Sequence, residues 1–303
     1  MNRFVPLMQR EWIQHRFGWA LLASIPLLLA LLLVGVGQIQ LDEDTLVQAG
    51  TALPAMLGMV AIAGTTAVMF LIAWVSSLII VSSLARRDHA DRSIEFWLSL
   101  PAGHAESLAV PMFVHLIVVP AVALGVGLLG GYAISLVLVA RLVGADAWFA
   151  LPWLHIVPAS LALALRLLAG LPLATLWLAP LILLVVLTTA WFRRWGWVVL
   201  TVGLGVGGWL LKTVFGQPLL SQVTAALLNN AATSLISVDP ETKINGLLRG
   251  SDGPGQIPAW ALHNFGIALH DLASPLLLGG LIVAAGCFAL LVQWRQKGAG
   301  GAA

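Results

Sequence analysis

Long apolar blocks separated by short charged segments set the pattern of this chain. A bilayer core of about 30 Å takes roughly 20 apolar residues per helix. The blocks at 19–37, 59–85, 107–140, 167–192, 195–215 and 274–294 reach that length and predict six membrane spans. The third block is too long for a straight, perpendicular helix. At 1.5 Å per residue it reaches about 50 Å, so it is expected to tilt, to kink at Pro111 or Pro120, or to project beyond the bilayer. The first block is longer than the apolar stretch of a cleavable leader and lacks a small-residue cleavage site, so residues 1–18 are expected to stay attached.

Two stretches do not fit a simple span. Ala147 to Leu165 contains Pro152, His155 and Pro158 and lies between Arg141 and Arg166; it is expected as an interfacial segment, with a seventh span as the alternative. From 217 to 271 a mildly amphipathic run (Ser221 to Ile236), a polar run (Asp239 to Gln256) and a second apolar run with Trp260, His263 and Phe265 predict two short interfacial helices joined by a loop.

Composition sharpens this picture. Apolar residues make up 60% of the chain and charged residues 9%, against about 25% charged in soluble domains, which excludes a soluble globular protein. The excess is Leu, Val and Ala in continuous runs, unlike the alternating segments of a membrane β-barrel. An all-α polytopic membrane protein with a single transmembrane domain over 1–303 is expected. Fifteen basic residues spread along the chain form no stripe for a phosphate backbone, so nucleic acid is excluded as a partner. The lone Cys287 has no disulfide partner.

Charge position also sets orientation. With six spans, the two tails, the second-to-third loop and the fourth-to-fifth turn hold Arg3, Arg10, Arg16, Arg86, Arg87, Arg92, Arg193, Arg194, Arg295 and Lys297, ten of the fifteen basic residues. Lys and Arg concentrate on the cytoplasmic face, so both termini are expected in the cytoplasm of a multi-pass protein of the inner (plasma) membrane. A seventh span would throw Arg193, Arg194 and Arg295 outside.

Several chemistries find no support. Gly125-Val126-Gly127-Leu128-Leu129-Gly130 matches the dinucleotide fingerprint literally, but it lies inside an apolar span without the strand or the downstream acid that fingerprint needs; helix packing is the better account. Gly127 with Gly131, and Gly203 with Gly207, have the spacing of close helix contacts, either within the chain or with a neighbour. No G-x-x-x-x-G-K-[ST] loop, H-E-x-x-H helix or G-x-S-x-G turn is present, so the chain is not expected to be an enzyme and no catalytic residue is assigned. His263, His270 and Asp271 share one segment without a recognised ligand spacing, and no metal is expected. Arg166, Lys212 and Asp271 fall near span ends, where they can snorkel. His115 is the one titratable group well inside a predicted span, a poor basis for ion-coupled transport.

The densest charge cluster lies between the second and third spans: Arg86, Arg87, Asp88, Asp91, Arg92 and Glu95 are six of 28 charges. Ser93 or Asp91 can cap a short helix that Pro101 ends, with Ile94, Trp97 and Leu98 on one face. Such an amphipathic helix either lies on the inner leaflet or docks in a groove of a soluble partner.

The run Asp91-Arg92-Ser93-Ile94-Glu95-Phe96-Trp97-Leu98-Ser99-Leu100-Pro101 resembles the D-x-S-I-x-F-W-x-S-L-P loop of ABC-2 type transporter permeases. The basic N-terminal segment, six spans, long third span, Trp-Phe-Arg-Arg turn after the fourth and long segment before the sixth resemble the same family. The resemblance implies an ABC-2 (type V exporter-like) architecture with an elbow helix at 1–18 and a cytoplasmic coupling loop at 86–104. It also implies two cytoplasmic ATP-binding subunits, a second permease copy or sister permease, and ATP with Mg in the partner subunit, with no cofactor in this chain. Carried over by position, the coupling contacts are Arg87, Asp88, Asp91, Arg92, Glu95, Phe96 and Trp97. The expected function is the permease subunit of an ATP-driven exporter of an amphipathic or hydrophobic solute such as a peptide antibiotic, drug or lipid. The alternatives are a non-transporting anchor that recruits a cytoplasmic partner, and an ion-coupled secondary carrier.

Overall fold

The computed structural model describes residues 4–40, 50–90, 103–237 and 253–300, and every regular element among them is helical. Helix α1 is Phe4–Val36. A 3-10 turn at Gly50–Ala52 enters α2, Leu53–Ala90. Then come α3, His104–Leu142, the short α4, Ala145–Phe149, and α5, Trp153–Phe192. A 3-10 turn at Arg193–Trp195 leads to α6, Gly196–Phe215, followed by α7, Leu219–Leu235. The chain closes with α8, Gly253–His270, and α9, Pro275–Gly300. Among the described residues, six helices are long and apolar enough to cross a membrane. Helix is the form such sequences take in lipid, because each backbone N–H and C=O is satisfied within its own segment. The chain therefore reads as a multi-pass membrane protein.

Several boundaries differ from those expected, three of them with a structural reason. The anticipated elbow at 1–18 is no separate element: α1 runs unbroken for 33 residues. Gly18 alone does not break a helix that neighbours stabilise, and Leu7, Val110 and Val114 form a small core that holds the first turns of α1 against α3. Nor is 147–165 one element set apart from the fourth span. Residues 153–165 are the opening turns of α5, which continues for 40 residues through Pro158, Pro172 and Pro180. Prolines are tolerated in such helices because neighbouring helices and local adjustments satisfy the freed carbonyls. The third helix begins at His104, and its prolines bracket a π turn at Val114–Val118. Pro120 has no N–H to return to Leu116, and the N–H of Val119 bonds the carbonyl of Val114 instead.

Packing fixes the topology. Helices α1 and α3 run parallel: Glu11 faces His115, Leu27 packs on Gly130, and Arg141 Nη1 donates to the carbonyls of Val34 (2.6 Å) and Gly37 (2.8 Å) at the end of α1. A cation there satisfies orphan helix carbonyls. Helix α2 returns antiparallel to α3. A Cβ at Gly131 would lie 2.9 Å from Ile62 Cα, and one at Gly127 would lie 3.1 Å from Thr66 Cα. This pair of glycines therefore serves packing within the chain, as the rejected fingerprint implies.

Helix α5 is the spine of the second half. Helices α8 and α9 lie along it in succession, with Gly255 beside His155, Asn264 bonded to Arg166 and Gly280 against Pro180. The central core joins both halves through Phe70 and Trp74 of α2, Leu124 of α3, Leu171, Trp177 and Val186 of α5 and Leu291 of α9. Trp177 is fully buried there.

These registers place five chain positions at one end of the bundle: the start of α1, the end of α2, the start of α3, the end of α5 and the end of α9. Leu7 packs on Val110, the hydroxyl of Thr189 donates to the Ser82 carbonyl, and Arg295 Nη1 donates to Ser107 Oγ at 3.0 Å. Both described chain ends thus share a face with the flanks of 91–102. The two helices expected between 217 and 271 are α7 and α8. Helix α6 buries only Gly196 and Gly208, leaving an apolar surface on nearly all sides.

Candidate functional site

Of the expected ATPase contacts, Arg87 and Asp88 fall on the helical backbone at the end of α2. Asp91, Arg92, Glu95, Phe96 and Trp97 lie outside the described residues. What the structure supplies is the frame around them: α2 and α3 form an antiparallel pair whose shared end, at Ala90 and Gly103, lies with both described chain ends.

Within the apolar bundle two polar clusters stand out. The first joins α1 and α3. Glu11 and His15 are one helical turn apart and so project from the same face of α1, while the π turn of α3 carries His115. Glu11 Oε2 lies 3.3 Å from His115 Nε2 and 3.9 Å from His15 Nε2. The Glu11 and His115 side chains are wholly buried, whereas that of His15 is 27% exposed. The two imidazoles meet edge to face with centroids 5.0 Å apart, and Trp19 packs on both. A carboxylate out of water is costly unless a positive charge and hydrogen bonds compensate it, and the two imidazoles are among the polar groups that face Glu11. His115 Nδ1 is buried without a hydrogen-bond partner.

The second cluster ties α5 to α7 and α8. Arg166 Nε donates to Asn264 Oδ1 (2.9 Å), Nη1 to the Ser234 carbonyl (2.8 Å), and Nη2 to the carbonyls of Thr233 and Asn264 (both 3.4 Å). Asn264 in turn donates to the Ser237 carbonyl and accepts from the Ser237 N–H. The expectation that Arg166 snorkels is thus corrected: it is 2% exposed. The last carbonyls of α7 have no partner in their own helix, and they take up the guanidinium fork. Gly170 leaves room for that approach, since a Cβ there would collide with the Ser234 carbonyl.

Between α2, α5 and α8 lies a cavity of about 140 Å³ lined by Ile62, Thr66, Ser160, Leu167, Ile257 and Trp260, among others. Its hydroxyls are used elsewhere: Thr66 donates to the Ile62 carbonyl at 2.7 Å, and Ser160 pairs with the Tyr132 hydroxyl at 2.7 Å. The wall is therefore almost wholly apolar.

The segment at 91–101 directs attention to the loop, and no local signal links Glu11 to His115. The i, i+4 spacing of Glu11 and His15, and a histidine flanked by two prolines, are the only hints. Their meeting depends on the parallel packing of helices 104 positions apart. Neither a protein-family model, nor a curated protein, nor a solved structure matches the chain.

Proposed function

We propose that this chain is the permease subunit of an ATP-driven exporter of the ABC-2 type, working with two cytoplasmic ATP-binding subunits and a second copy of itself or a sister permease. The observation that carries the reading is the 91–101 segment, whose sequence resembles the coupling loop of that family. It joins the antiparallel pair α2 and α3 at the end of the bundle shared by both chain ends and by the Arg193 turn. That end carries the basic residues that favour the cytoplasm. The absence of a phosphate loop from the sequence then calls for an ATPase on another chain.

An apolar cavity between α2 and α5 supports a hydrophobic or amphipathic solute. At about 140 Å³ it is well below the roughly 300–1,000 Å³ of small-molecule pockets, so transport requires these helices to separate or a path between two copies. ATP closes the ATPase pair, the coupling loops move with it, and the bundle shifts between inward-facing and outward-facing populations.

Among the described residues, the buried Glu11–His115 pair is an observation on the side of ion-coupled carriage. It is isolated: between His115 and Arg141 the third helix carries no Asp, Glu, Lys, Arg or His, and neither does α1 between Phe17 and Val36. A relay through the bundle lacks its next step.

The test is affinity purification of the tagged chain from its native membrane. A Walker-type ATPase that co-purifies with it and hydrolyses ATP is the expected result, and purification without any such subunit contradicts the reading.

A further inference from the structure

We infer that Glu11, His15 and His115 form a binding site for a divalent transition-metal ion of the zinc class, clamping α1 to the π turn of α3. This departs from the sequence expectation that the chain binds no metal, and it stands apart from the transport reading, since it rests on the cluster alone.

Three observations converge on it. First, each residue offers one donor atom, and the three atoms lie within 4.8 Å of one another. Some point is then no more than about 2.8 Å from all three, against zinc bond lengths of about 2.0–2.2 Å, so small side-chain rotations complete the coordination. The Glu11–His115 separation of 3.3 Å already equals the ligand–ligand edge, about 3.3 Å, of a tetrahedron with those bonds. Second, the two imidazoles converge on one carboxylate oxygen, Glu11 Oε2, yet His15 at 3.9 Å is too far to hydrogen-bond to it, which leaves a gap in which a cation can be shared. Third, His115 sits in a π turn, a local irregularity that recurs at functional sites.

Two imidazoles and one carboxylate are borderline ligands suited to zinc and its neighbours, and poorly suited to magnesium or calcium. The partly exposed His15 leaves the fourth position open to water and gives the ion a way in. The site lies in the half of the bundle that also holds the flanks of 91–102, so an ion there fixes the first helix to the third near those flanks.

Co²⁺ titration of the full-length protein in detergent, followed by its visible d–d absorption, tests the proposal. The wild type is expected to take up one equivalent with the intense bands of four-coordinate Co²⁺, displaced by one equivalent of Zn²⁺. His15→Ala is the primary variant because the side chain is partly exposed, and metal-free melting checks that it folds. It is expected to bind at least tenfold more weakly. His15→Cys is expected to restore binding and to add a thiolate-to-metal charge-transfer band. Failure of the wild type to bind one equivalent, or wild-type affinity in folded His15→Ala, overturns the site. A bound Co²⁺ whose spectrum is unchanged by His15→Cys does the same.

Discussion

His115 Nε2 lies 3.3 Å from Glu11 Oε2, both side chains wholly buried, although 104 positions separate them in the chain. That contact fastens the first helix to the third, because a buried hydrogen bond to a charged group contributes about 1.5–3 kcal/mol. In metal-free protein, His115→Ala is expected to lower stability by about that amount, and adding Glu11→Gln to restore part of it. Thermal unfolding in detergent of the two single variants and the double variant measures the coupling. Strict additivity would show that the two groups do not interact.

Arg166 supplies a fork that a lysine cannot. Its three nitrogens reach Asn264 and the carbonyls of Thr233 and Ser234, and Lys has one point of donation in place of that geometry. Arg166→Lys is expected to cost about 2 kcal/mol, from hydrogen bonds to a charged group worth about 1.5–3 kcal/mol each with partial replacement. Melting temperature reads this, and an unchanged value contradicts the assignment of Arg166 as the tie between α5, α7 and α8.

The glycines of the third helix separate into two kinds. A side chain at Gly131 meets the Ile62 backbone at 2.9 Å, whereas one at Gly125 meets nothing within 4 Å. Gly131→Leu is expected to disrupt the α2–α3 pair, with loss of folded protein in detergent-solubilised size-exclusion profiles. Gly125→Ala is expected to be neutral or up to about 1 kcal/mol stabilising, as for an exposed helical glycine. Equal effects of the two would contradict the antiparallel register.

Much of this fold is legible in the sequence because a span announces itself by length and apolarity alone. All six spans and the two helices between 217 and 271 have such local signals. Continuity does not. The Arg and His residues before Trp19 suggest an end to the first span, and the prolines before Arg166 suggest an interface, yet packing on Val110 and Val114 and on α8 carries both helices through. The polar clusters are still less legible. Glu11 finds His115, and Arg166 finds Asn264 98 positions away, only through helix register, and register is a property of the packed bundle. The segment at 91–101 is the reverse case, with a strong sequence pattern and no description in the structure.

Orientation follows from the shared end of the bundle. Ala105, at the start of α3, and Ala145, at the start of α4, are both exposed and lie at opposite ends of the long helix between them. In a Cys287→Ala background, a cysteine at Ala145 is expected to react with a membrane-impermeant maleimide added to intact cells, and one at Ala105 only after the cells are opened. The reverse pattern would place both termini outside.

The account's central claim is that 91–101 couples this bundle to an ATPase. It is tested most directly by replacing Glu95 and Trp97 together with alanine and measuring solute-stimulated ATP hydrolysis by the purified, reconstituted complex. The account predicts a double variant that folds and inserts normally but loses the stimulation. Stimulation equal to that of the unmodified complex would contradict the coupling role.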